Sequence, residues 1–250
     1  MHTLAFSDNP VTLVLSLIAG LVPAILWLMF WLREDNMKPN PRGLIALTFI
    51  GGMIAVILVL PIQKFIYTHF QDQNLLIVLW AASEELLKFL AVLLIALRSP
   101  EVDAPVDYPI YFMAAALGFA GLENALFLVH PVTFSDATVT FLTGNLRFLG
   151  STLLHATATG MMGLMLGLAF YQSKLVKLGS LAIGFILAVT LHSVFNFFIM
   201  QNNGENFLQV FAFLWVVTIM SMLVFEKVRR MSESIYLKDV VITDRTHLPA

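Results

Sequence analysis

LLIVLWAASEELLKFLAVLLIAL, residues Leu75–Leu97, decides the fold. A helix needs about 20 mostly apolar residues to cross the hydrocarbon core of a bilayer. This stretch supplies that length with no Pro or Gly to interrupt it. Its middle carries Glu84, Glu85 and Lys88. A charged side chain at mid-membrane costs at least ~2.5–3.5 kcal/mol on insertion scales, and such groups face a protein interior or a cavity. The stretch therefore predicts a membrane span that turns its charged face towards other helices.

The rest of the chain supplies those helices. It has 250 residues, of which 59% are hydrophobic and 12% charged. That charged share is about half of what soluble domains carry, too little polar surface for a soluble all-α protein. Further spans are read near 11–32, 43–62, 109–130, 149–171, 179–200 and 207–225. The first run, Val11–Leu32, lacks a preceding basic segment and a small-residue cleavage site, so it reads as a retained span. The fifth is ragged: Gly144, Asn145, Arg147 and Gly150 interrupt its start, and a short interfacial helix near 138–148 would raise the number of membrane helices from seven to eight. Prolines mark the loops at Pro39 and Pro41, at Pro100, Pro105 and Pro109, and at Pro131. The expected fold is an all-α, polytopic transmembrane bundle. Residues 1–225 form one membrane domain with its polar site in 80–197, and residues 226–250 form a polar cytoplasmic tail.

Lysine and arginine placement sets the expected orientation. Arg33, Lys38 and Arg42 lie in the first loop, Arg98 in the third, Lys174 and Lys177 in the fifth, and Lys227, Arg229, Arg230, Lys238 and Arg245 in the tail. The opposite side has only Lys64 and Arg147. This bias puts the N-terminus outside and the C-terminus in the cytoplasm, with a multi-pass cell-membrane location expected. A net charge of −2 gives no reason to expect nucleic-acid binding. The absence of cysteine excludes disulfides, thiolate metal sites and a cysteine nucleophile.

Other spans also carry polar groups. The fourth has Glu123 and Asn124, the fifth His155, and the sixth His192 and Asn196. Glu84 and Lys88 are four apart and share a helix face, as do His192 and Asn196. Glu85 points about 100° away from Glu84. At ~1.5 Å per residue, Glu84, Glu123, His155 and His192 all fall ~9–13 Å below the outer surface. Four helices thus bring carboxylates and imidazoles to one level, which predicts a single polar cavity in the outer half of the bilayer. Taken one at a time, each group also has a structural reading: an ion pair for Glu84–Lys88, and hydrogen bonding between helices for the others. As a set they suit hydrolysis. A carboxylate can serve as general base towards water, and imidazole or carboxamide groups can donate to an oxyanion. HExxH is absent, so the zincin pattern does not apply. No cofactor is expected; if a divalent metal is present, Glu84, His155 and His192 are the residues to hold it.

EELLK at Glu84–Lys88, GLEN at Gly121–Asn124, HATATG at His155–Gly160 and HSVFN at His192–Asn196 together resemble the PrsW family of membrane proteases. That family sits in the wider group of CAAX prenyl endopeptidases and bacteriocin-immunity-type membrane proteins. The resemblance runs over residues 80–197; the wider group often has Arg after the paired glutamates, where this chain has Lys88. It implies a glutamic-type intramembrane endopeptidase. Glu84, with Glu85 beside it, would activate water. His155, His192 and Asn196 would bind or polarise the scissile carbonyl, and Glu123 would orient a histidine or share its proton. Lys88 and Asn124 would support them. The implied substrate is a single-span membrane protein such as an anti-sigma factor, cleaved from the outer side. Two other readings use the same residues: a proton-coupled transporter, and a non-catalytic membrane binding or immunity protein. Gly160–Gly167, GMMGLMLG, has small residues at close-packing spacing, for use within the bundle or in a homodimer.

Overall fold

A computed structural model describes residues 10–33, 40–129, 137–201 and 207–246. These residues form seven helices and no strand: α1 (Pro10–Arg33), α2 (Arg42–His69), α3 (Gln73–Ile95), α4 (Asp107–Val129), α5 (Ala137–Leu168), α6 (Lys174–Gln201) and α7 (Phe207–Thr246). Each expected span falls on one of them. Five are long and apolar enough to cross a membrane: α1, α2, α4, residues Lys174–Ile199 of α6 and Leu208–Glu233 of α7. The remaining two, α3 and α5, carry much of the polar cluster described below. The stretch 138–148 is not a separate short helix; it forms the opening turns of α5. Beyond residue 225 the chain stays helical through Thr246, so the polar segment continues α7.

The bundle is organised around α4. Every residue from Pro109 to Gly121 is buried, as expected of a helix that is apolar on all sides. Small residues let its neighbours close in. A Cβ on Gly118 would run into the Phe49 carbonyl of α2, and one on Gly52 of α2 into the Ala115 carbonyl of α4. In a membrane, where lipid is as apolar as leucine, such close backbone approach holds helices together. The glycines of the GMMGLMLG stretch are spent in the same way. Gly160 meets Met113, Gly163 meets Tyr108 and Pro109, and Gly167 meets Pro105 and Val228. These three glycines of the stripe pack within the chain.

Two aspartates set helix starts. Asp72 caps α3, its carboxylate accepting the Leu75 N–H at 2.9 Å. Asp107, buried at the start of α4, accepts from the N–H groups of Asp103 and Ala104 at 2.9 and 2.7 Å and from the Asn40 amide at 3.1 Å. Large apolar side chains cover the outside: Val11, Leu15 and Leu26 on α1, Ile57 and Phe65 on α2, Ile186 on α6, and Ile219 and Leu223 on α7 are all exposed. An apolar surface of this extent suits contact with lipid.

Candidate active site

Glu84, Glu85 and Lys88 occupy the middle of α3 and are buried. Around them stand Glu123 on α4, His155 on α5 and His192 on α6. The six side chains form one connected cluster, so the polar groups of these four helices do meet.

Lys88 is its cationic centre. Its ammonium lies 2.7 Å from Glu85 Oε1 and 2.7 Å from His155 Nδ1. It also sits 4.2 Å from the centre of the Phe119 ring, a favourable cation–π placement. Glu84 Oε2 is farther away, at 3.9 Å. The i,i+4 ion pair expected for Glu84 and Lys88 is present, but the short bond is the i,i+3 bond to Glu85. Both spacings share a helix face, and the surrounding helices choose between them.

Glu85 is fully engaged. It accepts from Lys88 and from His192 Nδ1, at 2.9 Å, on Oε1, and from the Thr159 hydroxyl, at 2.7 Å, on Oε2. Glu84 is not. Gln63 of α2 donates to its Oε1 at 2.8 Å, while its Oε2 is buried with no hydrogen-bond partner. That free oxygen lies 3.5 Å from His192 Nε2, longer than the usual hydrogen bond. The bonding pattern assigns the tautomers. His192 Nδ1 donates to Glu85, so in the neutral ring Nε2 presents a lone pair to Glu84. His155 Nδ1 accepts from Lys88, so Nε2–H donates to Glu123 Oε2 at 2.8 Å. The two imidazoles stand edge to face, 4.9 Å between centres at 84°.

Two acceptors facing each other across 3.5 Å, both buried, call for a proton donor, a water or a cation between them. Glu84, His155 and His192 each offer a ligand atom within 4.8 Å of the others. The donor set also fits a divalent metal: carboxylate and imidazole suit zinc, and Glu85 behind His192 is the carboxylate–histidine arrangement that orients such ligands. Three carboxylates share the cluster with the single Lys88, and a divalent ion would balance them where all three are ionised. His155 would exchange one of its present bonds to join the set.

Not every expected residue joins the cluster. Asn124 donates instead to Thr152 Oγ1 at 3.0 Å, tying α4 to α5. Asn196 is half-buried, and its side chain makes no hydrogen bond among the described residues. Two members were not read from the sequence: Thr159 is one turn beyond His155 on the same face, and Gln63 follows the last apolar residue expected of the second span. Glu123, whose side chain is 38% exposed while that of Glu85 is 0% exposed, marks the open side of the cluster.

Residues 40–224 match the model of a family described as "PrsW family intramembrane metalloprotease". The match starts before α2 and so takes in Gln63 as well as the four motifs. Curated relatives named Protease PrsW include those of Oceanobacillus iheyensis, 27% identical over 183 residues (72% of this chain, 80% of the relative), Bacillus subtilis, 25% over 203 residues (79% and 89%), and Halalkalibacterium halodurans, 28% over 183 residues (72% and 81%). No solved structure matches the chain significantly. The chain belongs to the PrsW family of intramembrane metalloproteases.

Proposed function

We propose that this membrane protease is an endopeptidase that hydrolyses a bond of a single-span, membrane-anchored protein, with a water activated by Glu84. The supporting observation is the free, buried Glu84 Oε2 opposite His192 Nε2. A water entering here would donate one proton to each of these two acceptors, with the pair parting beyond its present 3.5 Å. As its oxygen attacks the carbonyl carbon, Glu84 Oε2 takes a proton, acting as general base. His155 Nε2–H, held by Lys88 on the far side of the ring, would turn from Glu123 to the developing oxyanion, with Asn196 as the second donor. The leaving amine then receives the proton from Glu84. Glu85 and Thr159 keep His192 in its tautomer, and Glu123 orients His155. In a metal-loaded form, a divalent ion held by Glu84, His155 and His192 would instead supply Lewis-acid polarisation of water and carbonyl, and these three side chains would serve as ligands in place of their roles as base and donors.

The positive-inside bias supports an N-terminus outside and a C-terminus in the cytoplasm of a bacterial cytoplasmic membrane. The cluster then faces the outer half of the bilayer, where an anti-sigma factor with one span is a fitting substrate. Purified protein in liposomes, incubated with single-span candidates, tests the reading. Cleavage within or beside the outer half of the substrate span is expected. Proton or solute flux with no product from any such substrate would instead support a carrier.

A further inference from the structure

The geometry points to Gln63 as a positioning residue for this reaction: its side-chain amide holds Glu84 by Oε1 and thereby leaves Oε2 as the one oxygen turned to His192. The inference rests on the reading of Glu84 given above and extends the machinery to α2, which contributes no charged group to the cluster.

Three observations carry it. First, the bond is short, 2.8 Å from Gln63 Nε2 to Glu84 Oε1, and a donor to a carboxylate makes one of the stronger hydrogen bonds. Second, Gln63 is itself anchored. Trp80 Nε1 of α3 donates to its backbone carbonyl at 3.3 Å, and the Trp80 ring stacks near Tyr67 at 6.4 Å. The anchor comes from the helix that carries Glu84, one turn earlier, so donor and carboxylate are fixed to the same frame. Third, the other glutamate is satisfied on both oxygens without α2. Only Glu84 depends on this amide. Removing it frees the carboxylate to rotate, and Lys88 at 3.9 Å is the obvious competitor for Oε2.

Packing and positioning make different demands of the same site. Gln63→Met keeps length and volume but removes the donor. Gln63→Glu keeps the shape and turns the donor into an acceptor facing Glu84. A residue needed only to fill space tolerates both. A positioning donor tolerates neither: each variant should lower kcat roughly 10- to 100-fold, the range expected for loss of a hydrogen bond to a charged group. KM should stay within about twofold, because Gln63 touches Glu84 and not the substrate. Melting temperature and gel-filtration profile in detergent establish that both variants are folded. Wild-type kcat in either variant, or an effect confined to KM, overturns the inference. Glu84→Gln measured alongside keeps the two readings apart. If it is inactive while Gln63→Met is fully active, only the role of Gln63 falls; if it cleaves normally, the role of Glu84 falls first.

Discussion

Glu84 Oε2 and His192 Nε2 face each other across 3.5 Å, one a buried carboxylate oxygen with no hydrogen-bond partner and the other a lone-pair nitrogen. Next to them Glu85, the neighbour of Glu84 in sequence, has both oxygens occupied. Adjacent glutamates thus hold opposite positions: one is built into the bundle and the other is kept available.

Stability should separate the two. Glu85→Ala leaves Lys88 and His192 without their shared partner, and breaking a buried pair in this way costs ~3–5 kcal/mol. Loss of folded protein or a strongly lowered melting temperature in detergent is expected. Glu84→Gln, which keeps an acceptor for Gln63 and removes a charge, should melt close to wild type. Equal effects of the two variants would contradict the division of labour.

Packing around α4 makes a second prediction. Gly118→Val places carbon against the Phe49 carbonyl and should cost more than the ~1–3 kcal/mol usual for overpacking, since backbone cannot step aside. Gly43→Ala, with nothing within 4 Å, should be neutral. Thermal unfolding of both variants checks the contrast.

Ion binding gives a third. With Glu84, His155 and His192 as ligands, added zinc should raise the melting temperature of chelator-stripped protein, because a ligand that binds only the folded state stabilises it. His192→Ala and His155→Ala should each weaken that rise, and elemental analysis should find less ion in both. An unchanged melting temperature in wild-type protein, with full cleavage after stripping, would remove the ion from the site.

Much of this was legible in the sequence because a bilayer is an unforgiving solvent. It demands apolar runs of fixed length, which gave the helices, and it drives charges together, which gave the convergence of Glu84, Glu123, His155 and His192. What was not legible depends on choices that helix geometry leaves open. Lys88 can reach Glu84 or Glu85 from one face, and only Thr159 and His192 on other helices show why Glu85 is held. Gln63 escaped because the apolar run of the second span stops at Ile62, while the helix itself continues to His69. Asn196 shares the face of His192 by spacing but makes no hydrogen bond with the cluster among the described residues. The ragged start of the fifth span concealed a continuous α5, since Gly144 and Gly150 weaken a hydropathy reading without ending a helix.

Cleavage by Glu84→Gln and His192→Ala tests the central claim most directly. Each variant, purified, shown to be folded and placed in liposomes with a single-span substrate that the wild type cleaves, should lose at least ~100-fold in rate, the scale of a missing general base or its partner. Cleavage at the wild-type rate by both variants would contradict it.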